Sequence, residues 1–346
     1  MNKKSLIGMT QTEISSLVAE LKLPSFTAKQ ITKWCYQKRI FDISKMTDLS
    51  KTARTALEEQ LISGTHSPVK VSESRDGTKK YLFAGPDGKF IESAYIPDQD
   101  RATLCVSTQV GCKMGCLFCM TARQGFQGHL SASEILNQIV SIPESDKLTN
   151  VVFMGMGEPF DNLESVLQTL TILTSDWGFA WSPKRVTVST IGVIPGLKRF
   201  LAESECHLAV SLHSPFHEER KSLMPIENVY PLPELLKVIH DFDFGNQRRI
   251  TFEYILFDGI NDSDRHIKEL CKILHGLHCR INLLHYHQIP GSSLKPSPKE
   301  RLISFRDELT KKGFIATVRA SRGEDIFAAC GLLSTRELNK RPSDDE

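Results

Sequence analysis

No run in the 346-residue chain stays apolar over the roughly 18 residues that a bilayer-crossing helix needs. The opening Met-Asn-Lys-Lys-Ser-Leu also lacks the apolar stretch of a signal peptide. These absences exclude a helical membrane protein and lead us to expect a cytosolic one. A strong charge of one sign is missing too: the net charge is +2, which by itself argues neither for nor against a nucleic-acid partner. Residues 1–60 carry ten Lys/Arg against six Asp/Glu, a small local excess of the kind that a solvated face or an RNA contact would both produce. The nine cysteines are an odd number in a chain of this length, so they suit a reducing compartment and cluster or redox chemistry better than a disulfide framework. With 40% hydrophobic residues, the chain can bury one large core and a smaller satellite.

What is present centres on Cys105-Val-Ser-Thr-Gln-Val-Gly-Cys112-Lys-Met-Gly-Cys116-Leu-Phe-Cys119. Cys112, Cys116 and Cys119 form a CxxxCxxC run just after a β-like segment. Three thiols in eight positions, interleaved with glycine, follow neither a helix face nor a strand face. A structural zinc site closes with four ligands and usually pairs two knuckles, and no second knuckle exists here. A four-iron cluster held by three thiolates leaves one iron open, and that is the reading we adopt.

Around this loop the chain changes character twice. Thr10 caps a helical pattern with Glu13 three residues on, and residues 26–39 and 47–61 continue in the same period, giving an accessory helical domain over residues 1–65. Residues 79–83 and 90–96 flank Pro86-Asp87-Gly88 and read as a hairpin within a linker, 66–97. From residue 98 to 333, β-branched runs alternate with helical patterns. Strands are expected at 103–108, 150–154, 185–190, 207–211, 249–255, 280–286 and 314–319, with helices at 131–142, 163–173, 233–242, 263–274 and 298–312. The remaining residues, 334–346, read as a disordered tail.

The ends of parallel strands are where a βα fold gathers its chemistry. Gly155-Met156-Gly157-Glu158-Pro159 follows the second strand, Ser189-Thr190-Ile191-Gly192 the third, and Ser211-Leu212-His213-Ser214 the fourth. Taken singly, each is as readily a turn or a helix cap.

With Phe118 before its last cysteine, the cluster run resembles the signature of the radical S-adenosylmethionine (SAM) enzymes. The segments RATLCVSTQVGC, VVFMGMGEP, VTVSTIGVIPGLKRF, LAVSLHSP, ERKSLMPI and RGEDIFAACG resemble, more closely, the RlmN family of RNA methyltransferases. The resemblance implies an α/β fold, a partial (βα)6 barrel of the TIM type open on one side. It implies a 4Fe–4S cluster on Cys112, Cys116 and Cys119, whose open iron chelates the amino and carboxylate groups of SAM before an electron cleaves the sulfonium. Gly157, Glu158, Ser189, Ser211, Leu212 and His213 would bind SAM, two molecules of it per turnover. His287 stands where many members have Asn, and an imidazole can still make one hydrogen bond there.

The family's target, carbon 2 of adenosine, lies between two ring nitrogens and is too electron-poor to attack SAM. The resemblance therefore implies methylation through Cys330, which becomes S-methylated, with Cys105 as its partner thiol in a transient disulfide and Glu92 as the general base. The glycines around Cys330 suit a mobile loop. Implied partners are 23S rRNA and tRNA, with flavodoxin or its reductase as electron donor, and the protein would act as a monomer. Two alternatives stay open on these residues: a Cfr-like methyltransferase acting on carbon 8, and a non-catalytic RNA-binding module stabilised by a metal such as zinc.

Overall fold

The computed structural model describes residues 3–245 and 249–335. Near the N-terminus, α1 (Gln11–Glu20) starts at a capping box. The Thr10 hydroxyl accepts the Glu13 amide at 3.2 Å, while the Glu13 carboxylate accepts the Thr10 amide at 2.7 Å. Next, α2 (Phe26–Thr32) widens into a π-helical segment, Lys33–Gln37, which turns Trp34, Cys35 and Tyr36 inward together. The expected third helix is α3 (Lys51–Gln60), capped by Ser50. This layer rests on the larger one: the Tyr36 ring packs 5.9 Å from Trp177 and 5.6 Å from Phe179, and Gln168 donates to the Gly8 carbonyl at 2.8 Å.

The larger layer is one ten-stranded sheet whose spatial order is its chain order. Strands β1 (Lys70–Glu73), β2 (Lys79–Ala84) and β3 (Phe90–Asp98) run antiparallel, and β3 pairs antiparallel with β4 (Arg101–Cys105). From β4 onward every pairing is parallel, through β5 (Asn150–Phe153), β6 (Val186–Thr190), β7 (His207–Ser211), β8 (Ile250–Leu256), β9 (Cys279–His285) and β10 (Ile315–Val318). The sheet stays open between its edges, β1 and β10, so it is the expected partial barrel.

Helices cross from each parallel strand to the next. The crossovers include α5 (Ala132–Val140), α6 (Leu163–Thr174), α7 (Ile194–Glu203), α9 (Leu232–His240), α10 (Asp264–Ile273) and α11 (Lys299–Lys311). Ser131 and Glu134 cap α5 as expected. Two short helices are additional: α4 (Met120–Gln124) after the cysteine run and α8 (His217–Leu223) after β7. One face of the parallel strands is apolar and buried, through residues such as Phe153, Val188, Val210, Phe252 and Leu283, as cover by helices requires, while the alternate positions carry polar residues such as Ser189, Ser211, Glu253 and Asn282.

Residues 321–335 turn back across the carboxyl ends of the strands. The Cys330 stretch, expected to be mobile, is held at several points. Asp325 accepts from the Ser74 hydroxyl at 2.5 Å, Asp76 accepts the Gly323 amide at 3.0 Å, and the Thr121 hydroxyl donates to the Leu333 carbonyl at 2.7 Å. Thr335 is buried, and its amide donates to the Gln124 side chain at 3.1 Å. The rest of the expected tail lies outside the described residues. Among the described residues, no helix is long and apolar enough to cross a membrane.

Candidate active site

The cysteine run begins where β4 ends. Gly111 takes φ +71°, and a Cβ there would lie 1.7 Å from the Gly125 carbonyl oxygen, so only glycine lets this loop fold back on α4. Cys112 and Cys116 are buried, and Cys119 stands at the N-terminal end of α4, whose Thr121 and Ala122 amides point at its sulfur. The Leu117 amide donates to Leu223 at 3.0 Å, which ties the loop to α8. Burial raises all three thiols, Cys112 to about 12, so they become good ligands only when a metal draws off the proton.

The three thiols line one cavity with Gly157, Glu158, Ser189, Ser211 and His213. Among the described residues, no three His, Cys, Asp or Glu side chains converge tightly enough to hold a single metal ion. Three thiols around one cavity suit a polynuclear cluster, in which each iron takes its own thiolate.

Glu158 is held from three sides. Its carboxylate accepts the Thr190 hydroxyl at 2.6 Å, the Ile191 amide at 3.0 Å and the Phe160 amide at 3.1 Å. Its own amide donates to the Gln109 side chain at 2.9 Å, and Gly157, at φ +100°, passes so close to Gln109 that a Cβ would lie 2.5 Å away. Burial raises the Glu158 carboxyl to about 7, against the lowering effect of those hydrogen bonds. An ammonium ligand arriving here would stabilise the carboxylate.

His213 is buried at φ +56°, and burial lowers it to about 3. Its Nδ1 accepts the Ile255 amide at 3.0 Å, which makes Nε2 the protonated nitrogen of a neutral ring. The Phe118 ring meets it edge-on at 4.8 Å. Leu212 is fully buried and does not line the cavity; its amide and carbonyl brace the turn, the amide donating to the Glu253 backbone carbonyl at 3.0 Å. Beneath the turn lies buried Arg220, donating to the carbonyls of Ile191 at 2.8 Å and of Ser211 and Leu212 at 3.1 Å while pairing with Glu227.

A second lobe adjoins the first and shares Cys119, Cys330 and Arg319 with it; the first, lined by all three cysteines of the run, is the inner lobe and the second the outer. Cys105 and His287 line this outer lobe, so His287 is not brought beside Glu158. The His287 Nδ1 lies 3.2 Å from a Glu324 carboxylate oxygen. Cys330 is exposed, whereas Cys105 is buried and pushed up to about 12, chiefly by desolvation. Glu92 lines neither lobe: it is buried behind the wall, 3.0 Å from the Lys80 ammonium, and accepts the Ser334 amide at 2.9 Å.

The sequence reading passed over Gln109, Thr190, Glu253 and Arg319, all of which position or line the site. Gln109 and Thr190 lie inside motifs already singled out, and their polar side chains at strand ends were a usable signal. Glu253 and Arg319 lie in β-like runs with no motif around them.

Residues 106–271 match the radical SAM superfamily, and residues 4–62 match the ribosomal RNA large subunit methyltransferase N-terminal domain. The "Probable dual-specificity RNA methyltransferase RlmN" of Phocaeicola vulgatus is 55% identical over 98% of this chain and 97% of its own. The "Dual-specificity RNA methyltransferase RlmN" of Syntrophus aciditrophicus is 39% identical over 99% of each chain. This chain belongs to the RlmN family. A radical SAM methyltransferase from Sphaerobacter thermophilus superposes with a TM-score of 0.89 at 39% identity, covering 95% of this chain and 99% of that one. As an RlmN-family member the protein is a radical SAM methyltransferase, with a 4Fe–4S cluster and SAM as its cofactors.

Proposed function

We propose that this RlmN-family chain is an RNA methyltransferase acting on carbon 2 of an adenosine, both in 23S rRNA and beside the anticodon of tRNA. The observation that carries the reading is the shared outer lobe, in which two cysteines 225 positions apart in sequence, Cys105 and Cys330, face the same space beside Cys119. An ordinary polar methyltransferase has no use for such a pair.

Cys112, Cys116 and Cys119 would hold the cluster, which supplies the electron for SAM cleavage when bound. Gly157 and Glu158 receive the amino group of SAM, and the hydroxyls of Ser189 and Ser211, with the Nε2–H of His213, receive its other polar groups. Cys330, which is exposed, would carry the methyl group, lose one hydrogen atom from it to the radical that SAM cleavage supplies, and add the resulting methylene to the electron-poor ring carbon, giving a protein–RNA adduct whose odd electron would return to the cluster. Glu92 then removes the ring proton. Because Glu92 lines neither lobe and the Ser334 amide covers its carboxylate, that role calls for the C-terminal segment to shift during turnover. Cys105 next attacks the Cys330 sulfur: the S–S bond forms, the C–S bond breaks, and its electron pair stays on the departing carbon, which takes up a proton to become the methyl group. The buried resting thiol of Cys105 ionises only after the adduct has changed its surroundings.

The protein would work in the cytosol, as a monomer, with an electron donor of the flavodoxin type. The deciding experiment is an anaerobic reaction of cluster-loaded protein with reductant, SAM and each RNA class, followed by mass spectrometry of the nucleosides. 2-Methyladenosine is the expected product. 8-Methyladenosine would move the chain to the carbon-8 activity, and purification with zinc and no methylation would leave an RNA-binding module.

A further inference from the structure

Glu253 sits near the middle of β8, and it is 6% exposed. Three strands carry a hydrogen-bonded ladder in strict register: Glu253 pairs with Asn282 on β9, and Asn282 with Thr317 on β10. The Thr317 hydroxyl donates to the Asn282 carbonyl oxygen at 2.8 Å, and the Asn282 amide nitrogen donates to Glu253 Oε1 at 2.9 Å. The ladder fixes which way the amide faces and which carboxylate oxygen it takes. Glu253 Oε2 is left buried with no hydrogen-bond partner among the described residues, in a side chain that lines the inner lobe. A buried carboxylate oxygen without a protein donor is costly, and one in a side chain that lines a cavity calls for a donor from a ligand or a water there.

The donor can be specified from position. Glu158, at the end of β5, takes the amino-acid end of SAM, and the nucleoside must then extend along the sheet toward β7 and β8. On β7, Ser211 is the register partner of Glu253, and both side chains line the lobe. A hydroxyl and a carboxylate side by side on neighbouring strands match the vicinal hydroxyls of a ribose. A carboxylate is also the group with which dinucleotide-binding folds take a ribose hydroxyl.

We propose that Glu253 is a SAM-binding residue whose Oε2 accepts a hydrogen bond from a ribose hydroxyl of the cofactor. Desolvation raises the Glu253 carboxyl, while the Arg319 guanidinium, lining the same lobe, counteracts this and favours the anion. The inference rests on the reading of this cavity as the SAM site.

The test measures binding rather than turnover, by anaerobic equilibrium dialysis of cluster-loaded protein with SAM and with its 2′-deoxy and 3′-deoxy analogues. Wild type should prefer SAM to one of the two analogues by about tenfold or more, the scale of a hydrogen bond to a charged acceptor. Glu253→Ala should lose that factor for SAM and bind the disfavoured analogue within about twofold of wild type. Glu253→Gln, which keeps the side-chain shape and loses the charge, should fall between them. Equal losses for SAM and both analogues, or a wild type that does not discriminate among them, overturn the assignment. Failure of the wild type to bind SAM at all overturns the cavity reading, and the assignment with it. Iron content and melting temperature of each variant separate a binding defect from a folding one, and the wild-type comparison stands whether or not a variant folds.

Discussion

The Lys80 ammonium lies 3.0 Å from a carboxylate oxygen of Glu92, diagonally across the β2–β3 hairpin, with both side chains largely enclosed. The pair holds the proposed base against a largely buried cation, and neither residue lines the two lobes. Replacing Glu92 with Gln should therefore have two separable effects. Lys80 loses its counter-charge, costing about 3 kcal/mol if the site behaves as a buried pair, read as a lower melting temperature. The folded fraction should still cleave SAM and should accumulate the protein–RNA adduct. Normal turnover by Glu92→Gln would remove it from the chemistry.

The two cysteines of the outer lobe should respond unequally. Cys330→Ala leaves no carrier and should give neither methylated RNA nor a crosslink. Cys105→Ala keeps the carrier but has no thiol to release it, so a covalent protein–RNA species should survive denaturation on a gel. If neither variant crosslinks, and no S-methyl group is found on Cys330 in the parent protein by mass spectrometry, the covalent route is wrong.

SAM affinity should depend on pH through Glu158, whose carboxyl is held at about 7 before ligand arrives. An ammonium group binds the ionised form, so proton loss from Glu158 accompanies binding and affinity falls as pH drops below about 7. The dissociation constant should rise by up to about tenfold per pH unit there and level off above it. In Glu158→Gln, SAM should bind weakly with that pH step absent. A wild-type affinity that is flat between pH 6 and 8 would count against the assignment.

Anaerobic reconstitution should yield about four irons per chain with charge-transfer absorption, both lost in Cys116→Ala. Gly111→Ala should also load poorly, although it removes no ligand, because its Cβ collides with the Gly125 carbonyl. Full iron content in Gly111→Ala would show that the loop can be rebuilt around a side chain.

Legibility differed between parts of this chain for physical reasons. Helices with reciprocal caps, at Thr10 with Glu13 and Ser131 with Glu134, were placed to within two residues, because the cap is a local signal. The strand expected to run to Thr108 stops at Cys105: Val106 still bonds to Val152, but Ser107 turns to Glu92, Met156 and Gln138, all distant in sequence. The seven-residue helix α8 is mostly charged and has no apolar period to reveal it, and nothing local marks its Arg220 as buried against Glu227 and three carbonyls. The iron–sulfur cofactor was legible because three thiols at close spacing have few other uses. Glu253 was not, because one carboxylate in an apolar strand becomes informative only when curvature of the sheet turns it into a cavity.

The sheet's chain-order topology lets each new strand settle on the one before it, so most of the barrel can consolidate as the polypeptide emerges from the N-terminal side. The cover is different: residues 321–335 reach back to Ser74, Asp76, Glu92, Thr121 and Gln124, and none of those contacts can form until the last strand has been made. The three thiols of the CxxxCxxC loop thus precede their cover in the chain, since Cys119 is made 202 residues before residue 321. Cys330, the proposed carrier, arrives only with the closing segment, so a chain truncated after β10 should keep every strand of the sheet and the three loop cysteines and lose methyl transfer.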